Sequence, residues 1–403
     1  MTIEICYLSQ INKQKPALII IFFALIYSFS WGQETEPQIC NDQSVILETV
    51  VTGDFVQLLS GGANKHKEFV YLGMENIILS FNTEACGLWK GGTLTLHGLN
   101  THGPAPSADF VNDMQVFDNI EAGDHTGFYE FNYRQRFGPL SLMIGQHDLN
   151  VEFCGSEHAG LFINSSFGIT PSIALNIPVA IFPVAAPCFY ISYQPDDKCT
   201  IRTAVYDGVP GDIETNKYNL DFKLDAHEGL LSIAEFECNS YKNTGNKYKA
   251  GLYFHSSEFV SYKDTTTITR GNFGFYATID KKITEPTGGF DNGLNVFLQT
   301  GFAPADRNLV TYYIGMGFSF HGFFRKLSHD QMGIGMAHVG ISKDYAKIHP
   351  ETLKNETAIE ITYQMFIGEK YSIQPDLQYI IHPGAVSGIK NALAGSLRLS
   401  LSF

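Results

Sequence analysis

The last segment of the chain, Lys390–Phe403, ends in a regular alternation of apolar and polar side chains. Leucine or phenylalanine occupies every second position from 397 to 403, and serine or arginine occupies the positions between them. Because a β-strand turns successive side chains to opposite faces, the segment predicts a strand with one apolar and one polar face. Such a strand fits a soluble sandwich with an apolar core. It also fits a membrane barrel, whose apolar face meets lipid and whose polar face meets a watery lumen.

The same alternation recurs along the chain, most clearly in Phe128–Phe137. Its aromatic face comprises Tyr129, Phe131, Tyr133 and Phe137, and its polar face comprises Glu130, Asn132, Arg134 and Arg136. The next predicted strand, Leu140–Phe153, changes parity near Gly145. A β-bulge at Gly145 explains that change and keeps the acidic residues on the inward face. The inward set is then Gln146, Asp148, Asn150 and Glu152.

The number of strands follows from the turns between them. Seventeen segments have strand character, but a barrel with both ends in the periplasm needs an even number. Placing the short turns at 138–139, 195–198 and 368–370 on the periplasmic side leaves a parity clash, which disappears if Tyr218–Leu224 belongs to an outer loop. The sequence thus predicts an all-β, transmembrane antiparallel β-barrel of sixteen strands. Its long extracellular loops are 102–124, 154–187, 208–227 and 343–354.

The N-terminal region has the form of a secretory signal peptide. Lys13 and Lys15 precede the apolar run Ala17–Tyr27, and small residues around Gly32 suit a cleavage site. We therefore expect a signal peptide over 1–32, a short periplasmic segment over 33–44 and the barrel over 45–403. Export of such a barrel predicts an integral protein of the bacterial outer membrane.

Charge and cysteine content limit the partners. A formal net charge of −14 argues against nucleic acid, which binds basic surfaces. Six cysteines follow the predicted signal peptide, at Cys40, Cys86, Cys154, Cys188, Cys199 and Cys238. In an oxidising compartment they could pair in many ways or stay as scattered thiols. None has the CxxC spacing of metal or redox sites, so neither metal nor cofactor is predicted.

Several motifs point to one family. They include Tyr71-Leu72-Gly73, Gly91-Gly92-Thr93-Leu94, Phe162–Gly168 (FINSSFG), Val205–Asp212 (VYDGVPGD) and Gln374–Ile380 (QPDLQYI). With these motifs in this order along the chain, the sequence resembles the carbohydrate-selective porins of the OprB family. The resemblance implies an outer-membrane barrel for passive diffusion of carbohydrates, glucose-like mono- or oligosaccharides, into the periplasm. It also implies a channel and not an enzyme.

Selectivity in a porin arises at a constriction lined with groups that replace water around the solute. As in general porins, the longest loop, 154–187, is expected to fold into the lumen, with Asn164, Ser166 and Phe167 at its tip. The predicted inward residues opposite are Glu130, Arg134, Arg136, Asp148, Asn150, Glu152 and Arg202. Facing acids and bases would put a field across the pore that suits neutral dipolar solutes. Alternatively, these charges only pair with one another on a solvated wall.

Inward tyrosines offer a second contact for sugars. Aromatic rings stack on apolar sugar faces, and the tyrosines predicted to form such a sugar slide are Tyr190, Tyr206, Tyr253, Tyr276 and Tyr313. The alternative is that these residues form interface girdles, which are common in barrels.

Two other functions are alternatives to sugar uptake. One is a general, weakly selective porin for small polar solutes. The other is an outer-membrane lipase, which needs a paired serine and histidine; Ser141 and His147 are too far apart on one strand for a hydrogen bond. The expected partners are carbohydrate solutes, outer-membrane lipid and the barrel assembly machinery, which would read the closing strand that ends in Phe403. The oligomeric state is left open.

Overall fold

The computed structural model describes residues 43–63, 69–213, 215–222, 227–239, 246–284, 293–322 and 329–403. These residues form a closed barrel of sixteen strands, in which each strand pairs with the next and the first pairs with the last. The predicted sixteen-stranded all-β barrel is thereby confirmed. The predicted signal peptide, its cleavage near Gly32 and most of the segment 33–44 lie outside the described residues.

Every strand is antiparallel to its neighbours. The strands are β1 (Val45–Gly62), β2 (Phe69–Asn82), β3 (Gly92–His102), β4 (His125–Phe137), β5 (Leu140–His147), β6 (Ala186–Tyr193), β7 (Cys199–Asp207), β8 (Leu230–Asn239), β9 (Lys247–Val260), β10 (Ile268–Lys282), β11 (Gly293–Phe302), β12 (Val310–His321), β13 (Gln331–Ile341), β14 (Asn355–Ile367), β15 (Tyr371–Ile381) and β16 (Lys390–Ser402). Residues 218–222, assigned from the sequence to an outer loop, lie between β7 and β8 and form no strand.

The helical segments are short and lie in the connections between strands. They are α1 (Leu149–Glu152), α2 (Pro171–Ala174), α3 (Lys343–Ile348), a π-helical turn at Ser107–Val111 and 3-10 turns at Ser165–Phe167 and Pro383–Ala385. Within the described ranges, no helix has the length and apolar character needed to cross a membrane.

The strands present apolar side chains outward and polar side chains inward. In β16, Leu397 and Leu399 are each 40% exposed on the outer face, whereas Ser396 is buried and Arg398 is partly buried on the inner face. β1 and β16 close the barrel in a register that pairs Asp54 with Arg398. The outer face is therefore the surface that meets lipid, as the alternation predicted.

The strand β4 departs from its predicted alternation at Tyr129. Its pairing with β3 shifts register between His97, which faces Glu130, and Gly98, which faces Phe128. The extra residue, Tyr129, turns inward and is only 5% exposed. The prediction that Tyr129 shares the outer face of Phe131 is therefore wrong, because a β-bulge changes the parity of the strand.

The apolar core of the protein lies inside the barrel. Two connections fold into the lumen: residues 103–124, here the first inner loop, and residues 148–185, the second inner loop. Phe110 and Phe117 of the first loop and Phe162 and Phe167 of the second belong to one buried cluster. The sequence predicted one such loop, over 154–187, and placed 102–124 outside. The first inner loop therefore lies inside the barrel and not outside it, which corrects that expectation.

Candidate constriction

The second inner loop leaves the wall near Gly145. The predicted bulge is absent, since β4 and β5 pair through Gly145 without a shift in register. Gly145 instead has a φ of 140°, and a Cβ there would collide with the carbonyl oxygen of Phe131. β5 ends at His147, and Asp148 caps α1 by accepting a hydrogen bond from the Asn150 amide (2.7 Å). The predicted strand to Phe153 is therefore wrong, because a capped helical turn replaces its end.

Acidic side chains on the inner wall hold the backbone of the second inner loop. Glu235 of β8 accepts from the Cys154 amide (2.9 Å), and Asp280 of β10 accepts from the Ser156 hydroxyl (2.5 Å). These amides and hydroxyls would otherwise be buried without partners, which costs about 1–3 kcal/mol for each group. The contacts carry the loop along the wall from β5 towards the far side of the lumen.

On that far side, Glu360 of β14 is the main anchor. Its two carboxylate oxygens accept from the amides of Ile163 (2.6 Å) and Asn164 (3.0 Å). The side chain of Glu360 is fully buried. The loop therefore spans the lumen, and both oxygens of this carboxylate hold its farthest point.

The first inner loop is anchored in the same way. Glu356 of β14 accepts from the amides of Met114 (3.0 Å) and Gln115 (3.1 Å). The loops also bond to each other, since the Asn119 amide donates to the Ile163 carbonyl (2.9 Å). Together they form one partition inside the barrel.

Arg398 joins the first inner loop to the closing strands. It makes a two-pronged ion pair with Asp54 (2.6 Å at the shortest) and reaches Asp118 (3.1 Å) and the Asn119 side chain (2.7 Å). Asp54 and Asp118 are fully buried, whereas Asn119 is exposed. One cation thus compensates two buried acids at the edge of the partition.

A row of paired charges joins the second inner loop to β4, β7, β8 and β9. We call it the charge ladder; it comprises Arg134, Glu152, Arg202, Glu237, Lys249, Lys247 and Glu157. Four successive ion pairs are Arg134–Glu152, Glu152–Arg202 (3.8 Å), Arg202–Glu237 (2.8 Å) and Glu237–Lys249 (3.7 Å), and a separate pair beside them is Lys247–Glu157 (2.8 Å). Their side chains keep 10–48% of their surface exposed. The ladder is therefore partly accessible from the lumen.

The acids that α1 and its loop contribute to the ladder stay ionised. Burial alone would raise the pKa of Glu152, but Arg134 and the Tyr190 hydroxyl outweigh burial and lower it. Burial would likewise raise the pKa of Glu157, but the hydrogen bond and charge of Lys247 outweigh burial and lower it. Glu152 and Glu157 therefore keep their negative charges at neutral pH.

Three of the predicted pore-lining residues, Arg134, Glu152 and Arg202, belong to the charge ladder. Arg136 is exposed beside the turn that joins β4 to β5. The side chain of Asn150 ties the loop to itself, donating to the Gly168 carbonyl (3.1 Å). The structure thus brings together only part of the predicted set.

A second group of predicted residues lies behind the loop. Glu130 accepts from the Asp148 amide (3.0 Å) and faces His97 (3.4 Å) and His147 (3.6 Å). The Tyr206 hydroxyl lies 3.3 Å from His147 Nδ1. Glu130, Asp148 and Tyr206 are buried, so they join strands to the loop and do not face open lumen.

The predicted tip of the loop is buried against the wall. Asn164 Nδ2 donates to Gln378 Oε1 (3.1 Å), and Ser166 Oγ donates to Gln115 Oε1 (3.1 Å). Phe167 is 1% exposed. This corrects the expectation that Asn164, Ser166 and Phe167 face the pore: the loop crosses the whole lumen, so its tip docks on the opposite strands.

The predicted sugar slide is covered by the loop. Its five tyrosines, Tyr190, Tyr206, Tyr253, Tyr276 and Tyr313, are all nearly inaccessible. Four of their hydroxyls bond to the loop or to an acid that anchors it, whereas the Tyr206 hydroxyl lies beside His147 of β5. Tyr313, for example, donates to the Ser166 carbonyl (2.8 Å), and Tyr253 donates to the Ser172 carbonyl (2.6 Å). They are therefore supports of the partition, and the expectation of an accessible slide is wrong.

The alternation pattern does not identify the wall residues that anchor the two inner loops. Arg398 stands on the predicted polar face of the closing strand, where a single charge among serines was available as a signal. Nothing local indicates which charges a distant loop will cover. Their partners lie far away in the sequence: Arg398 is 280 residues from Asp118 and 344 from Asp54.

Comparison with known proteins gives a family match over most of the chain. Residues 66–403 match the family described as carbohydrate-selective porin, OprB family. Porin B of Pseudomonas aeruginosa is 21% identical over 288 residues, which cover 63% of this chain and 60% of that protein. The match to Porin B thus spans less than two thirds of that relative. The putative porin QuiX of Acinetobacter baylyi is 19% identical, covering 93% of this chain and 92% of QuiX.

Solved structures agree on the fold. The high-pH structure of Pseudomonas putida OprB superposes with a TM-score of 0.82 at 18% identity, covering 89% of this chain and 94% of that one. The outer-membrane channel DcaP of Acinetobacter baumannii gives a TM-score of 0.56 at 11% identity, with coverages of 89% and 97%.

Proposed function

The chain belongs to the carbohydrate-selective porin family, OprB, and we propose that it passes glucose-like mono- or oligosaccharides through the outer membrane by passive diffusion. The family and the barrel indicate a channel. Its mechanism is then a constriction that binds the solute weakly enough to release it. Solutes move down their gradient without any catalysed reaction.

The observation that carries this proposal is the charge ladder. Arg134 and Arg202 on the wall offer hydrogen-bond donors, and Glu152 of the loop and Glu237 of the wall offer acceptors between them. With the buried Glu235, which also contacts Arg202 (3.3 Å), the ladder sets four acids against four bases. A neutral sugar can replace its water with these donors and acceptors, whereas an ion of either sign meets both attraction and repulsion.

Arg398 and Asn119 would form the other border of the passage. Arg398 Nη2 donates to Asn119 Oδ1 at 2.7 Å, and Asn119 is exposed. We infer that the sugar passes between this border and the ladder, because Asn119 and the ladder side chains keep exposed surface inside the barrel. The outer face meets lipid, and we expect the barrel assembly machinery to insert the protein by reading β16.

The proposed function is tested by single-channel conductance in a planar bilayer, titrated with glucose, maltose and arginine. We expect open steps that glucose or maltose blocks in a saturable way. Ion-selective steps that ignore sugar would favour the general, weakly selective porin instead. Folded protein without any open step would remove the channel itself.

The role of the ladder is tested by Arg134→Ala, with Arg136→Ala as the matched control. Removing Arg134 leaves Glu152 without its closest cation, so we expect higher cation permeability and a half-blocking sugar concentration about tenfold higher, equivalent to about 1.4 kcal/mol. Arg136 is two positions away on the same strand but exposed beside a turn, so its removal should change neither value. Equal effects of both substitutions would contradict the assignment.

A further inference from the structure

Two cysteines face each other across neighbouring strands. Cys199 is the first residue of β7, and Cys238 is the penultimate residue of β8; the two pair directly in the strand register. Their Sγ atoms lie 2.8 Å apart, although the residues are 39 positions apart in the sequence. The barrel, and not local sequence, therefore brings the thiols together.

The backbone at this point suits a covalent bond. The Asn239 amide donates to the Lys198 carbonyl (2.6 Å), so that flanking pair is hydrogen-bonded and the cysteine pair occupies the next, non-hydrogen-bonded position. Opposed Cα atoms at such positions lie about 4.5 Å apart, with their side chains close together. Disulfides accept Cα separations of about 4.4–6.8 Å. No movement of the strands is needed to join the two sulfurs.

The other cysteines of the described residues have different surroundings. Cys154 and Cys188 are buried in an apolar cluster inside the barrel, and the exposed Cys86 donates to the Ser44 carbonyl (3.4 Å). Cys199 and Cys238 instead lie on the outer face, in the rows of the exposed Ile201 and Phe236. This face is accessible while the chain crosses the periplasm.

We propose that Cys199 and Cys238 form a disulfide that fastens β7 to β8. The two thiols lose two protons and two electrons, and one S–S bond forms. The oxidant is a protein disulfide of the periplasmic thiol–disulfide exchange system, which accepts the electrons and becomes a dithiol. An outer-membrane protein passes through that oxidising compartment whichever solute it carries, so the proposal does not depend on the sugar specificity.

The bond would also support the charge ladder. Glu237 directly precedes Cys238, and Arg202 lies three residues after Cys199 on β7. The pairing of Arg202 with Glu237 (2.8 Å) requires β7 and β8 to keep their register. A covalent link beside this ion pair fixes that register and closes a loop through the outer connection, which restricts the unfolded chain.

The test uses the full-length protein extracted with denaturant from isolated outer membranes, with N-ethylmaleimide present from cell lysis onwards. Free thiols are capped at lysis, and thiols released later by reductant receive iodoacetamide. Trypsin can cut after Lys198, Arg202, Lys223 and Lys242, which isolates peptides 199–202 and 224–242. Without reductant we expect these peptides as one linked species. After reduction both should carry the iodoacetamide label, and Cys86 should carry maleimide.

Variants then identify the partner. Cys199→Ser should move Cys238 from almost complete protection to almost complete maleimide labelling, whereas Cys86→Ser should leave the labels on Cys199 and Cys238 unchanged. Maleimide on both Cys199 and Cys238 in the wild-type protein would overturn the proposal. Continued protection of Cys238 in the Cys199→Ser variant would also overturn it, since Cys238 would then have another partner.

Discussion

Replacing Glu360 by alanine is expected to release the second inner loop and open the channel. The substitution leaves the buried amides of Ile163 and Asn164 without acceptors. Each unpaired amide costs about 1–3 kcal/mol while it stays buried, and release of the loop to water removes this cost. We expect a larger and noisier single-channel conductance, and new cleavage by chymotrypsin within residues 148–185.

Two further variants separate the anchor from general damage. Glu360→Gln keeps one acceptor oxygen, so its conductance should fall between those of the wild type and Glu360→Ala. Glu258→Ala removes an exposed acid at the outer end of β9 and should match the wild type. If Glu360→Ala keeps wild-type conductance and protease resistance, the loop does not depend on this carboxylate.

Replacing Arg398 by alanine is expected to lower the stability of the folded barrel strongly. Asp54 and Asp118 would remain buried without the cation that contacts both. Breaking a buried ion pair by removing one partner typically costs about 3–5 kcal/mol. The temperature at which the folded barrel loses its compact mobility on a gel should therefore fall. Arg398→Lys should recover only part of the loss, because lysine cannot make the two-pronged contact with Asp54.

The defect of Arg398→Ala should depend on pH in a defined direction. Burial, and then repulsion by Asp54, raise the pKa of Asp118 well above its usual value even with Arg398 present. An acid whose pKa is raised by folding destabilises the folded state above its unfolded pKa, and this cost disappears as pH falls. The stability difference from the wild type should thus be largest at neutral pH and shrink on acidification.

The control for this experiment is Arg270→Ala, which removes an exposed arginine from β10. It should leave both the transition temperature and its pH dependence at the wild-type values. A constant deficit for Arg398→Ala across the acidic range would mean that the lost stability comes from packing and not from the uncompensated acids.

The candidate constriction was only partly accessible to sequence reasoning. Alternation places Arg134 and Arg202 on inner faces, and both belong to the charge ladder. Alternation also places Tyr206 and Glu130 inward, yet both are covered by the second inner loop. An inward face is a property of one strand, whereas access to solvent depends on what a distant loop covers.

The alternation pattern also gave a wrong prediction at two places in β4 and β5. Tyr129 turned inward because a bulge in β4 shifts parity by one residue, which aromatic character cannot reveal. The apparent strand beyond Gly145 became a capped helical turn. Alternating residues are compatible with both a strand and a short helical turn, and the point at which the chain leaves the barrel wall decides between them.

The sequence by itself determined the barrel: sixteen two-faced strands, their antiparallel order and the apolar surface presented to lipid. These features follow from a period of two, which each strand carries locally. Only the tertiary structure decided that two loops fill the lumen, that wall acids such as Glu360 hold them, and which charges remain accessible. Those outcomes depend on pairings between residues such as Asp118 and Arg398, 280 positions apart, because buried polar groups take whichever partners the closed barrel brings within reach.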